Sequence, residues 1–428
     1  MTQPKRLLDD CFLHDSDRML HDDALALLRE RIVPVTDTET IDLNQALNRV
    51  LAQEVVAPRD VPMTDNTAVD GYAFSHADYL ATGGTMPVVD RVAAGHPAQA
   101  PIAKGAAVRI FTGGVMPAGT DSIAMQEDCS LSEEGGQKTV FVPPGLKPGA
   151  NCRKAGEDLR KDDHLMSPGM RLRPQEIAAL ASIGMAEIQV LRPLRIALIS
   201  TGDEIVRPGN PIAPGQVYDS NHYLLTALLS ALGLEVTDYG ILPDRDDAVR
   251  DALNEAAASH DVILTTGGAS QGEEDYIAAI LDEIGHRHLW QLAIKPGRPI
   301  MFGQINDCVL IGLPGNPVAV FVCFLLYARP VLLARSGAGW SEPIRYQVPA
   351  AFAVSDKKTG RREFQRGILD HDENGHVTVR KFARDGSGLI TSLRQSDGLI
   401  EMLEDTTELA IGETVNFIPN SEFGLPPR

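Results

Sequence analysis

No Cys-x-x-Cys pair occurs in these 428 residues, and the five cysteines, Cys11, Cys129, Cys152, Cys308 and Cys323, are odd in number. Neither a disulfide framework nor a structural zinc site is supported, and a reducing compartment is the simpler setting. Positive charge is also scarce. Against 58 Asp and Glu stand 39 Lys and Arg, a formal net charge of −19. That field excludes nonspecific affinity for nucleic acid or an anionic membrane, since either needs a basic face large enough to offset it. Any phosphorylated ligand must therefore meet local cations or a metal. The start of the chain runs from Met1 and Arg6 into Asp9, Asp10, His14 and Asp15 rather than into an apolar segment, and no apolar run of about 18 residues follows. The expectation is a soluble, unexported, cytoplasmic protein.

What is present is 43% hydrophobic composition, enough for several cores, and a length that fits about three domains. Asp22 and Asp23 precede the apolar run Ala24 to Leu28 and predict a capped helix, with a second helix expected near Leu43 to Val50. From about residue 58 to 149 the texture changes to short β-like runs broken by Gly and Pro, including Val108 to Phe111 and Thr139 to Val142. We read a helical and linker scaffold over 1–57 and 150–193, resuming with a helix from Pro174 to Ile183, and a β-rich domain inserted at 58–149.

From Leu194 apolar runs recur at Ile196–Ser200, Glu235–Ile241, Val262–Thr266, Leu289–Ile294 and Val309–Leu313, separated by helical stretches near 221–232, 246–259, 274–284 and 316–334. This alternation predicts a doubly wound, mostly parallel sheet over 194–336. Ligands of such sheets bind beyond the carboxyl ends of the strands. Residues 341–428 read as a separate C-terminal β domain, making the chain multidomain α/β plus β.

Three strand-end loops are glycine-rich where a phosphate would need them: Thr201-Gly202-Asp203-Glu204, Thr266-Gly267-Gly268-Ala269-Ser270 and Leu313-Pro314-Gly315-Asn316-Pro317. Glycine lets the backbone approach an anion, and the N–H groups at 315–318, less the one Pro317 lacks, form a helix-start anion site. Each loop alone is also an ordinary strand-to-helix turn; three together point to phosphate. None has Walker or dinucleotide spacing, which excludes a P-loop and NAD. The same loops carry acids, Asp203 and Glu204, Asp244 and Asp246, then Glu273, Glu274 and Asp275. Oxygen ligands of this kind suit Mg²⁺ bridging an acidic protein to phosphate. Helix capping explains such acids equally well, and we prefer it for Glu273 and Glu274, whereas Glu204 and Asp275 lie against glycine turns. Lys295 and Arg298, flanking Pro296-Gly297, supply cations after a strand.

The most specific segment is Asp65-Asn66-Thr67-Ala68-Val69-Asp70-Gly71-Tyr72-Ala73, more polar than a turn requires. It resembles the Asp-Asn-Ser-Ala-Met-Asp-Gly-Tyr-Ala signature of the MoeA family of molybdopterin molybdenumtransferases, shared with the cofactor-synthesising part of gephyrin, with Thr67 and Val69 as departures. The resemblance continues in family order through Arg109–Gly113, Gln126–Asp128, Gly156–Asp158, Ser200–Glu204, Tyr218–Asn221, Gly267–Ser270 with Asp275, Lys295–Pro299, Pro314–Pro317 and Phe364–Gly367.

The resemblance implies an elongated homodimer of four domains that takes adenylylated molybdopterin and molybdate to molybdenum cofactor, releasing AMP with the help of Mg²⁺. It implies a cleft with Asp65, Thr112 and Asp158 on one side and Glu204, Asp244, Asp275 and Lys295 on the other, completed across the dimer. Glu204, Asp244 and Asp275 would be the metal ligands. Substrate would meet Asp70, Thr201, Gly202, Asp203, Gly267, Gly268, Ser270, Lys295, Arg298, Pro314, Gly315 and Asn316. Molybdopterin adenylyltransferase and partners in molybdoenzyme maturation would be its neighbours in the pathway. Two departures stand out. Gln291 occupies a position four before the lysine where the family often has a basic residue, and strand alternation would place Gln291, Ala293 and Lys295 on one face. The family's Gly-Ser-His appears as Gly386-Ser387-Gly388.

Two rival readings are weaker. An adenylyltransferase would account only for residues 194–336, and a gephyrin-type anchoring scaffold would have no need to keep Asp65, Asp158, Glu204 and Asp275.

Overall fold

The computed structural model describes residues 18–35, 37–267 and 276–426. Gly268, Ser270 and Asp275, with Ala269, Glu273 and Glu274, lie outside the described residues, as does Cys11. The chain divides into two compact units, one joining Met1–Ala52, Gly169–Arg173 and Gln189–Arg428, the other joining Gln53–Pro168 and Pro174–Ile188.

In the first unit six strands form a sheet in the order Glu235–Leu242, Arg195–Thr201, Val262–Thr266, Cys308–Leu313, Pro299–Ile305, His286–Gln291. The first four pair in parallel and the last two antiparallel. The sequence reading missed the strand Pro299–Ile305, and the run expected at 289–294 is divided between His286–Gln291 and a separate short strand, Ile294–Lys295. Ile196, Ala197, Leu198 and Ile199 are all fully buried because helices cover both faces of the sheet. Alternation sends Ile196 and Leu198 into one core and Ala197 and Ile199 into another.

The helical run Pro317–Arg335 has a mean hydropathy of 2.0 over its apolar window, long and apolar enough to cross a membrane, against the expectation of no such run. It is 89% buried inside the protein and is the central core helix. Within it Phe324–Ala328 widens to a π turn just before Pro330. Pro330 has no N–H for the residue four before it, and its ring crowds that carbonyl, so the widened turn relieves both problems.

The C-terminal region is not as separate as its sequence implies. Its sheet runs Ile294–Lys295, Arg362–His371, Gly398–Met402, Thr414–Pro419, Tyr346–Pro349, so its first strand comes from the loop before Pro296. Phe364, Leu399, Ile418 and Phe423 share a core with the central helix, while Val348, Val379, Ile400 and Phe417 form a smaller core of their own.

Near the N-terminus the helix His21–Arg31 is present, but Asp22 and Asp23 lie in its first turn rather than capping it, and Asp22 binds Arg362 at 2.9 and 2.8 Å. No helix spans 43–50. Instead Thr38–Asp42 and Val50–Leu51 join Glu187–Leu191 in a three-stranded sheet, with a 3-10 turn at Leu43–Gln45. Asp42 accepts from the Asn44 N–H at 2.8 Å, and Asn48 takes φ 65, each offering the backbone an alternative to a helix.

The second unit is built on a sheet in the order Ser122–Met125, Gly71–Phe74, Ala107–Ile110, Thr85–Val92, Gln137–Phe141, Ser130–Glu134. It extends beyond the expected 58–149. Cys152–Arg153 pairs with Asn66–Thr67, and His164–Met166 pairs with Val55–Val56, which draws flanking segments assigned to the scaffold into this unit.

Candidate functional site

Pairing places the strand-end loops of the first unit in one row. Thr201 is opposite Leu242, Ser200 opposite Thr266, and Thr266 opposite Leu313, so all four parallel strands end at the same level. Glu204, Asp244, Gly267 and Pro314 therefore emerge along one edge of the sheet, the carboxyl edge where such folds bind ligands.

The loop after the first strand is tightly built. Gly202 has φ 131, and a Cβ there would lie 2.6 Å from Glu204 Oε2, so only glycine lets the carboxylate fold back on the turn. Gly267 has φ 86 and is packed on Thr201, whose hydroxyl donates to Thr266 O at 3.4 Å. Beneath them buried Asp219 caps the helix Ser220–Ala231 by accepting from His222 N–H at 3.0 Å, with Arg207 at 3.4 Å. Asp203 and Glu204 are exposed and Asp244 is half-buried. Among the described residues no group of three or more His, Cys, Asp or Glu side chains is placed to hold a metal ion.

At the Pro314 end of the row lies a cavity of about 280 Å³ lined by Lys295, Pro296, Gly297, the Pro314–Asn316 loop, Glu363, Gln365, Arg366, Asp385 and Ser387, among others. Lys295 reaches it because its two-residue strand pairs with Arg362–His371, setting Lys295 beside Glu363. Buried Glu363 takes two bonds from Arg361 at 3.0 and 2.7 Å on Oε1, leaving Oε2 at 3.8 Å from the Lys295 ammonium. Arg366 is buried, donates to Ser392 Oγ and to the carbonyls of Arg384 and Gly386, and burial draws its pKa down. A cation with neutral partners is a feature suited to an anionic ligand. Gly297, at φ 100, lies so close to Cys323 that a Cβ would be 2.4 Å from Sγ.

Several sequence expectations change here. Val318 donates its N–H to Ser387 O at 3.0 Å, so the helix start expected to bind an anion is partly spent on holding the C-terminal loop. Arg298 is exposed and not part of the cavity lining. Gln291 does not share a face with Lys295: it ends a different strand and is exposed, while Ala293 between them is 1% exposed. The chain leaves one sheet at Gln291 and enters another at Ile294, and the alternation is lost in between. Glu363, Gln365, Arg366 and Asp385 were not assigned to the site from sequence. Phe364–Gly367 was legible only as a motif, because strand pairing with Lys295 supplies its meaning.

In the second unit the signature segment is zipped to two others. Thr67 donates to Gly114 O, Gly113 to Thr67 O and Met116 to Asp65 O, while Ala68 donates to Asn151 O. Asp65 consequently meets Lys154 Nζ at 2.7 Å and Ala155 N–H at 2.8 Å, and the Lys154 bond first, then the amide, holds its carboxyl below the usual range. Asp70 Oδ1 accepts from both the N–H and the hydroxyl of Thr112 at 2.7 Å, which lowers its pKa as well. Asp158 is exposed on a turn tied by its N–H to Val61 O at 3.1 Å. Asp65 with Lys154 and Asp70 with Thr112 are thus two separate polar pairs held on the signature segment; Lys154 carried no sequence signal beyond its place before Gly156–Asp158.

Three family descriptions match the chain in order: "MoeA N-terminal region (domain I and II)" over residues 19–184, "Probable molybdopterin binding domain" over 197–334, and "MoeA C-terminal region (domain IV)" over 347–420. A molybdopterin molybdenumtransferase from Haemophilus influenzae is 36% identical over 93% of this chain and 98% of its own length. The chain belongs to the MoeA family. A Nostoc molybdopterin molybdenumtransferase is 36% identical over 89% of this chain and 88% of its own. The MoeA protein of Pyrococcus horikoshii OT3 superposes with a TM-score of 0.77 at 29% identity, covering 94% of this chain and 100% of that one. The cavity lies across the matched molybdopterin-binding and C-terminal segments of this MoeA chain.

Proposed function

We propose that this MoeA-family protein is a molybdopterin molybdenumtransferase, inserting molybdenum from molybdate into adenylylated molybdopterin with release of AMP. The observation that carries the reading is the cavity where Lys295 and Arg366 stand at one end of a row of glycine-rich strand ends. On an acidic molecule these are the local cations that an oxyanion requires, and transfer becomes intramolecular once both substrates are held. Lys295 binds the oxyanion, the Thr201–Gly202 and Gly267 turns approach the phosphates, and Asp65, Asp70, Thr112 and Asp158 serve the same reaction from the second unit. The names of the Haemophilus and Nostoc relatives support the assignment.

Magnesium dependence, homodimerisation, a cytoplasmic setting and exchange with an adenylyltransferase and molybdoenzyme-maturation partners are further parts of the proposal. The described residues do not themselves make a Mg²⁺ ligand set. Incubating purified protein with adenylylated molybdopterin, Mg²⁺ and molybdate or tungstate, then following AMP release and bound metal, tests the reading. Turnover should fall steeply in Lys295→Ala; full turnover in that variant would sink it. Asp275→Asn should raise the Mg²⁺ concentration needed, and an unchanged Mg²⁺ dependence would remove Asp275 from the ligand set.

A further inference from the structure

Pro314, Gly315 and Asn316 line the Lys295 cavity, and their loop is held by a side chain 94 residues earlier in the chain. Asn221, in the first turn of the helix Ser220–Ala231, donates its amide nitrogen to the Gly315 carbonyl at 2.7 Å. A carbonyl only accepts, so the NH₂ end of the amide must face Gly315. Asn221 is 8% exposed, and its own Oδ1 is buried without a partner. An amide with one end orphaned costs stability that an apolar side chain on this helix would not. What Asn221 gains is the bond to the loop. Its helix is capped by Asp219 and packs on the helix that starts at Pro317, so the donor stands on a rigid element.

The loop does not fix that peptide by itself. Glycine and asparagine are the residue types that most readily take either sign of φ, so the peptide between Gly315 and Asn316 is among the easiest to turn over. Space does not prevent it, since a Cβ on Gly315 would meet nothing within 4 Å. Its orientation matters to an anion. The peptide is not among the cis bonds, which precede Pro62 and Pro296, so its C=O and N–H point opposite ways. With the carbonyl turned to Asn221, the Asn316 N–H lies on the other edge, and no described residue accepts from it. Turned over, the same peptide would set carbonyl lone pairs where that N–H now stands.

We propose that Asn221 is a positioning residue for oxyanion binding: by holding the Gly315 carbonyl it keeps that oxygen out of the Lys295 cavity and presents the N–H edge of the loop to the anion. This rests on the cavity being where the substrate oxyanion is held. Asn221 itself touches no substrate. It acts through the fraction of molecules whose loop is correctly turned, and a fraction of roughly one tenth weakens apparent binding about tenfold.

Calorimetric titration of the full chain with molybdate tests this in the wild-type protein, Asn221→Ala, Asn221→Asp and Lys295→Ala. Both Asn221 variants remove the donor, and the aspartate also sets an oxygen against the Gly315 carbonyl. Each should bind molybdate about 5–20-fold more weakly, the aspartate variant more so than the alanine. In turnover with adenylylated molybdopterin the loss should fall on KM for molybdate rather than on kcat, because saturating anion pulls the loop back. A general weakening of the fold would instead lower kcat at any molybdate concentration. In wild-type protein carrying isotope-labelled asparagine, the Asn316 amide resonance, identified by its loss in Asn316→Ser, should shift as molybdate saturates the site. The idea is overturned if that resonance stays in place, a measurement that stands even if the Asn221 variants fail to fold. It is equally overturned if a folded Asn221→Ala binds molybdate as tightly as the wild type. Lys295→Ala separates the two levels: molybdate binding that survives it removes the oxyanion from this cavity and the functional reading with it, whereas binding lost there but kept in a folded Asn221→Ala defeats only the role of Asn221.

Discussion

Gly297 shows how a single atom positions the candidate site. It lies in the turn after the Lys295 strand at φ 100, packed against the core helix, and the space a Cβ would need is filled by the buried Cys323 Sγ. Gly297→Ala should therefore cost roughly 2–4 kcal/mol through overpacking and left-handed backbone strain, read as a lower denaturation midpoint. Cys323→Ala in the same chain should restore part of the loss by vacating that space, and strict additivity of the two changes would show that the clash is not the cause. Cys323 itself, fully buried with its thiol pKa driven far upward by desolvation, should resist alkylation in the native protein.

At the scale of elements, two joints hold the sheet and its neighbours. Asp261 at the start of the Val262–Thr266 strand receives Arg192 in a bidentate pair at 2.7 Å and the Arg195 N–H at 2.8 Å. Burial pushes its carboxyl up, but those bonds prevail and bring it down to about 2. A depressed carboxyl contributes stability above its unfolded pKa and loses it as pH falls through the folded one. Roughly 2 kcal/mol should thus disappear between about pH 4 and pH 2 in the wild-type protein and be missing at all pH values in Asp261→Asn, as urea titrations can check. The second joint is the pairing of Ile294–Lys295 with Arg362–His371. Because Phe364, Leu399 and Ile418 share the core of the central helix, a chain ended at residue 340 should lose oxyanion binding and unfold at lower temperature. An unchanged midpoint would mean that the C-terminal region folds as an independent body.

For the whole molecule, the acids and hydroxyls of the signature segment and those of the strand-end row belong to different compact units of one chain. The proposed homodimer accommodates this if residues of both chains serve one reaction. Mixing an Asp65→Ala chain with a Glu204→Ala chain should then recover activity through one intact set in each heterodimer. Heterodimers that form yet stay inactive would count against it. The net charge of −19 makes the local cations matter more, since nothing at long range draws an oxyanion in.

Much of this was written in local sequence. The buried strands Arg195–Thr201, Val262–Thr266 and Cys308–Leu313 follow from apolar runs, and Gly202, Gly267 and Gly315 mark the turns after them, because strand period and glycine freedom are properties of neighbouring residues. The signature at Asp65 and the lysine at 295 were legible for the same reason. Tertiary structure decided what those residues meet. Lys154 lies far along the chain from Asp65, and Glu363, Gln365 and Arg366 lie still closer to the C-terminus than the Lys295 they accompany, so only strand pairing sets them together. The failed expectations have the same origin: at 43–50 a 3-10 turn carries the chain between two strands that both join Glu187–Leu191, and Gln291 is exposed and outside the cavity lining. At the first place the chain turns back within one sheet and at the second it passes from one sheet to another, and in both hydrogen bonding to distant strands outweighs the periodicity of the residues themselves.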